Sequence, residues 1–447
     1  MMANKKWGAA ALLLSTAVLA AACGGKDDTG GQAPSTQTPD SKVEDKKKEP
    51  ITLHLYAPGV SEDEYSRRWK PSLEQKFPHI TFKYTTSGAG NAITDLVARG
   101  EIPDLIRTDI PTIKPNYIDM GLSYDLRPLI EQYKYDMSRF NPVFSQEIVD
   151  AVGTGAIYGL PVPPYFPQVM YYNVELFDKF GVPYPKDGMT IDEVYEVAKT
   201  MTRTDGTTQY RGFSSNVVAW LRDNPYSQAI LDPKQDSLSN PDLWKTMFET
   251  LKKFYDIPNN TIGNNVTEEN NAFSKGNVAI QINQHNIYLI IPEEVKWDYA
   301  TAPLLPGAPE RMGQRGPAYW AITNQSKHKE DAFEVIMQML SDEVQMEDSK
   351  QGIPTTLNNK EIQAALGSSH PIYSTKNMKA ITTYEPIVPT PKRDPNLTDV
   401  ALSKQQNIMG AQFIKVAQGQ TDINTALREA DEQLKQELKA QKEKEGK

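Results

Sequence analysis

Apolar and polar positions change rhythm along the chain, and the changes separate strands from helices. Ile51, Leu53 and Leu55 alternate with Thr52, His54 and Tyr56, the period of two that lays one face of a strand on a core. A helical period follows. Ser61 and Glu64 form a capping-box pair, and Tyr65, Trp69, Leu73 and Phe77 recur every fourth residue, with Pro71 placed to kink the segment. Alternation returns at Ile80, Phe82 and Tyr84. Ala89 to Ala98 reads as a helix ended by Gly100, and Pro103 to Arg107 as a short strand. The order is βαβαβ.

The same grammar recurs downstream. Thr190 and Glu193 form a second capping box ahead of Ile191, Val194, Val197, Ala198 and Met201 on one helical face. Asp205-Gly206 predicts a tight turn between short strands. Asn240-Pro241 opens a helix with a cap and an N1 proline, and Leu243, Trp244, Met247, Phe248, Leu251 and Phe254 give it a broad apolar stripe. Val278, Ile280 and Ile282 mark a later strand, and Ala332, Phe333, Val335, Ile336, Met339 and Leu340 another helix. From Asp422, the residues Ile423, Leu427, Ala430, Leu434 and Leu438 share a face before a charged tail expected to fray. No repeat of a solenoid or propeller is visible. The expected fold class is α/β with two lobes.

The first residues have a different character. Lys5 and Lys6 precede an apolar run from Trp7 to Ala22, the architecture of a secretion signal. As a helix the run spans about 24 Å at about 1.5 Å per residue, short of a roughly 30 Å hydrocarbon core. Gly24 to Pro50 is polar, with Val43 its only large apolar residue, and reads as a disordered tether.

At 447 residues the chain is long enough for two domains, and 39% apolar with 23% charged residues suits a folded, soluble body. Lys plus Arg number 48 against 57 acids, a net charge of −9, which lacks the electrostatic footprint of a nucleic-acid binder. The single cysteine, Cys23, forms no intramolecular disulfide and cannot build a thiolate-rich metal site. The five histidines show no metal-ligand spacing, and neither a P-loop, a nucleophile elbow nor a dinucleotide fingerprint occurs. No metal or cofactor is expected.

Two groups of residues carry a resemblance. Leu19-Ala20-Ala21-Ala22-Cys23 resembles the lipobox of bacterial lipoproteins, although Leu stands one position earlier than usual. The likeness implies that residues 1–22 are removed and that Cys23 is acylated; ordinary signal cleavage is the competing reading. Tyr158-Gly159-Leu160-Pro161, then Tyr171-Tyr172-Asn173-Val174-Glu175-Leu176-Phe177, then Thr190-Ile191-Asp192-Glu193 resemble the extracellular solute-binding proteins of ABC importers, the sugar-type family one group. Weaker matches at Phe273-Ser274-Lys275-Gly276-Asn277, Trp320-Ala321-Ile322-Thr323 and Gln351-Gly352-Ile353-Pro354 keep that family's order.

This resemblance implies a two-lobe, periplasmic-binding-protein-like (type II) α/β fold with a ligand cleft. The expected crossings near residues 161–164, 272–276 and 321–324 divide the chain into a tether at 23–50, an N-terminal lobe of 51–162 plus 276–322, and a C-terminal lobe of 163–275 plus 323–447. The implied function is capture of an oligosaccharide and delivery to ABC permease subunits by a lipid-anchored monomer on the extracytoplasmic face. A lipid-anchored carbohydrate-active enzyme and the input of a membrane sensor are the alternatives. Genuine sugar sites combine hydroxyl-binding charged or amide groups with aromatic planes. On that chemistry and the resemblance, the candidate ligand residues are Tyr56, Asp109, Tyr165, Phe166, Trp220, Asn283, His285, Arg315, Tyr319 and Trp320. Structural roles compete at several: a rim position for Tyr56, a cap for Asp109, core packing for Trp220, a solvated loop for Arg315.

Overall fold

The computed structural model describes residues 48–446 except 152. The signal segment, Cys23 and nearly all of the tether lie outside the described residues. The body, Glu49–Lys447, clusters as one unit.

Among the described residues eleven strands form two sheets: β1 (Ile51–Tyr56), β2 (Ile80–Thr85), β3 (Leu105–Asp109), β4 (Leu160–Val162), β5 (Phe166–Asn173), β6 (Arg203–Asp205), β7 (Thr208–Ser215), β8 (Val278–Gln284), β9 (Trp297–Thr301), β10 (Gln314–Arg315) and β11 (Ala318–Ile322). The first sheet runs β2-β1-β3-β11-β4 and the second β10-β5-β8-β7-β6, with β9 also on β5. In the first, β1 is parallel to β2 and β3, while β11 is antiparallel to β3 and β4. Strands β5 and β8 are buried along nearly their whole length, so both of their faces are covered. Trp69, Trp320, Phe333 and Ile336 share one first-lobe core, and Met170, Phe213, Trp244, Phe248 and Phe413 a second-lobe core.

Local chemistry sets the helix ends. The Thr190–Glu193 capping box is complete, and Asn240 caps Pro241–Tyr255. Ser61 accepts from the Glu64 amide, but the Glu64 carboxylate turns to Arg68 instead of closing the box. The helix breaks at Trp69, and Pro71 lies in the first turn of Lys70–Lys76. The last helix does not fray: Ile423–Glu445 stays helical because Leu438 is buried, Lys442 pairs with Asp236 and Glu445 accepts from Thr398.

The crossings between lobes differ from expectation in two places. Near the first expected crossing, β4 of the first sheet ends at Val162 and β5 of the second begins at Phe166. The return does not occur at 272–276, because β8 is held between β5 and β7 and β9 pairs with β5. The chain re-enters the first sheet only between Arg315 of β10 and Ala318 of β11. Nor does it leave at 321–324. The helix Lys329–Met339 packs its apolar face on Trp69 and Trp320, Ile362 joins the same core, and Leu366 and Tyr373 are the next residues in a second-lobe cluster. The first lobe is therefore residues 51–162 plus about 318–362, and residues 276–315 belong to the second. Alternation reveals a strand but not the sheet it joins.

Candidate ligand cleft

Where the lobes meet, β3 ends at Asp109 and β10 presents Arg315. Ala318 of β11 lies opposite Asp109, and Arg315 lies opposite Phe166 of β5, so two residues, Gly316 and Pro317, carry the chain from one lobe to the other. That short span brings the Arg315 guanidinium to 2.7 Å from the Asp109 carboxylate. Thr112, one turn into the following helix, donates its hydroxyl to the same carboxylate.

Deeper in the seam lies Glu147, on the helix Pro142–Asp150, which is capped by Asn141. The Tyr319 hydroxyl is 3.1 Å from its carboxylate, and the Lys392 ammonium of the second lobe is 3.8 Å away. A Cβ at Gly316 would fall 2.3 Å from the Glu147 carboxylate, so a larger residue at this crossing would force that side chain to shift. Burial lifts the Glu147 carboxyl above its ordinary range, against Lys392 and Tyr319, which favour the charged form.

Lys392 is carried by a proline-rich strap, 386–398, anchored on the second lobe. Ile387 donates to the Met312 carbonyl at 2.8 Å, and Arg393 donates to the carbonyls of Asp232 and Gln235 at 2.6 and 2.7 Å. Glu385, just before the strap, accepts from Asn141 and Lys360 of the first lobe at 3.3 and 3.2 Å. Beside these polar ties, Tyr165 packs on Phe144 with ring centres 4.9 Å apart and Met312 alongside.

On the second-lobe side, Gln168, Trp220, Arg311, Gly313 and Tyr384 help line a small hollow of about 10 Å³, room for about one water molecule. Gln168 is fixed by donating to the Ala219 carbonyl at 2.9 Å. Aromatic, amide and guanidinium groups are the chemistry a polyol needs, a flat face for C–H groups and directed partners for hydroxyls, but this hollow would have to widen to admit one.

The seam thus brings together Asp109, Arg315, Tyr319 and Tyr165, with Phe166 half-buried beside Arg315 and Trp220, 2% exposed, bordering the hollow. Four other expected cleft residues are buried in the packing of their own lobes. Tyr56 is buried in a first-lobe core with Ile93, Leu96 and Ile106, and burial raises its hydroxyl. Trp320 is fully buried in the interior strand β11, edge-on to Trp69 at 5.6 Å. Asn283 belongs to an amide relay, accepting from Asn216 at 3.0 Å and donating to Asn270 at 2.8 Å. His285 is buried; burial lowers its imidazole to about 3, and its backbone carbonyl accepts from the Tyr171 and Tyr299 hydroxyls at 2.6 Å each. Glu147, Gln168 and Lys392 were not picked out from the sequence. The prolines at 386, 389, 391 and 395 were the available signal for the strap. Among the described residues no group of three or more His, Cys, Asp and Glu side chains is set to hold a metal, and no helix is long and apolar enough to cross a membrane.

Residues 59–346, more than half of the chain, match the family described as bacterial extracellular solute-binding protein. The chain belongs to that family. This solute-binding protein is also similar to an uncharacterised ABC transporter extracellular-binding protein of Pyrococcus horikoshii, 23% identical over 206 residues; the match covers 45% of this chain and 43% of that relative, under half its length. Among solved structures, it resembles an ABC substrate-binding protein of Listeria monocytogenes in complex with cycloalternan, with TM-score 0.65 and 19% identity over 87% of this chain and 99% of that one. A sugar transporter of Rhizobium etli in an open conformation gives TM-score 0.65 and 18% identity over 86% and 99% of the two chains. At these identities the likeness establishes the two-lobe fold.

Proposed function

We propose that this solute-binding protein is the carbohydrate-capturing component of an ABC importer, taking an oligosaccharide between its lobes and presenting it to permease subunits without changing it. The observation that carries the reading is the seam itself. The first lobe offers the Asp109 and Glu147 carboxylates, the second offers Arg315 and Lys392, and aromatic rings lie beside them. A hydroxyl donates to the first kind of group and accepts from the second, so a polyol between the walls bonds to both lobes at once. Asp109, Arg315, Tyr165, Phe166 and Trp220 are the proposed ligand residues. The cycloalternan complex of the Listeria protein supports an oligosaccharide as the guest.

We assign the protein to the extracytoplasmic face, held by lipid on Cys23, as a monomer; the small residues ahead of Cys23 motivate the anchor. The test is a thermal-melting screen against neutral oligosaccharides with a parallel assay for new reducing ends. A melting shift that grows with ligand concentration, with no reducing ends released, is the expected result. Release of reducing ends would replace the reading with a carbohydrate-active enzyme, and mature protein found free in the medium without detergent would remove the lipid anchor.

A further inference from the structure

Glu147 is a buried carboxylate that the capture reading uses only as one wall of the seam. It sits on the first lobe with 9% of its side chain exposed. The groups around it come from four elements. Tyr319 of β11 offers its hydroxyl, and Lys392 of the strap faces it at 3.8 Å, too far for a hydrogen bond. Asp223, at the end of Val217–Arg222, and Asp109 of β3 add negative field, although each has its own cation, Arg222 and Arg315. Lys392 and Asp223 belong to the second lobe. An opening of the cleft would take them away and return water to Glu147.

We propose that Glu147 and Lys392 are positioning residues for closure of the cleft, the carboxylate opposing closure because it must be buried and the ammonium favouring it by facing that carboxylate. The proposal rests on capture between the lobes. Taking a carboxylate out of water is costly, and one ammonium beyond hydrogen-bond distance offsets only part of that cost. Burial is accordingly the largest influence on Glu147 and raises its carboxyl above the ordinary value of 4.5. In an open form the surroundings are wetter and that rise is reduced. The closed form then holds the proton more tightly than the open form. Closure is favoured as pH falls toward 4.5 and weakened as pH rises through the lifted value.

The two side chains therefore act with opposite sign. Glu147→Gln removes the burial cost and closes the cleft further; Lys392→Met removes the offset and opens it. A contact that merely held the fold together would shift both variants the same way.

The experiment measures interlobe distances by electron-spin resonance in the ligand-free full chain. Cys23→Ser removes the native thiol, and spin labels are placed at Arg67→Cys on the first lobe and Glu249→Cys on the second, both exposed positions. Between about pH 8 and about pH 5, the closed fraction of the parent should rise several-fold. Glu147→Gln should be more closed than the parent at the upper pH and flat across the range, and Lys392→Met less closed there with a steeper response. A pH response that survives in Glu147→Gln, or a shift of both variants in one direction, overturns the proposal. Should Glu147→Gln fail to fold, Lys392→Met alone decides: a response no steeper than the parent's overturns it. The measurement contains no sugar, so a protein that binds no oligosaccharide but shows these opposite shifts would sink the capture reading and leave the pair standing.

Discussion

At one point of the seam Asp109 meets Arg315 at 2.7 Å, with 26% and 44% of their side chains exposed; deeper in, Glu147 meets Lys392 at 3.8 Å, with 9% and 29% exposed. Both join a first-lobe carboxylate to a second-lobe cation, yet distance ranks them in the wrong order of consequence. The shorter pair stands in water, which screens it and solvates either partner when it breaks. The longer pair is consequential because its carboxylate has lost most of its water. Arg68 and Asp348, inside the first lobe, complete the series. Each is 4% exposed, they are joined by two hydrogen bonds of 2.9 and 2.7 Å, and Arg68 also donates to the Pro163 carbonyl at the first crossing. Burial, more than separation, decides what an ion pair does.

The largest expected effect comes from breaking the most buried pair. Arg68→Met strands the Asp348 carboxylate and should cost about 3–5 kcal/mol in denaturant unfolding; a cost near zero would mean that burial is the wrong measure. Gly316→Ala should cost about 1–3 kcal/mol by overpacking against Glu147, and most of that loss should disappear in the double variant with Glu147→Ala. Additive costs would place the strain elsewhere.

A pH dependence separates second-lobe burial from the seam. His285 is held neutral, with its value down from 6.5 to about 3. The unfolded chain takes up a proton below 6.5 that the folded chain refuses, so stability falls as pH drops from 6.5 toward 3. Denaturation of His285→Phe across that range should show a slope shallower by one proton. Arg315→Ala should have the smallest effect on folding, under about 1 kcal/mol, and should diminish the salt dependence of closure.

Much of the fold was legible because it is written locally. The alternation at Ile51 to Tyr56 gave β1, the Thr190 and Asn240 caps opened helices where they were expected, and Gly206 follows β6 in the predicted hairpin. Partnership was not legible. Val278–Ile282 announces a strand, but only pairing with β5 and β7 assigns it to the second lobe, and that choice moved two of three crossings. The site divides the same way. Asp109 and Arg315, the proposed ligand pair, meet in the seam because both lie at strand ends beside a crossing. Trp320 and Tyr56 failed because position along a strand does not reveal which face, or how central a strand, a ring occupies. Glu147 carries no local mark at all, since the cation facing it comes from a strap about 245 residues away.

The central claim is most directly tested by calorimetric titration of neutral oligosaccharides into the parent protein and into Asp109→Ala. Saturable one-to-one binding of at least one oligosaccharide, weakened by about 1–3 kcal/mol in Asp109→Ala, is the predicted result. No binding across the panel, or an affinity that Asp109→Ala leaves untouched, would contradict capture at this seam.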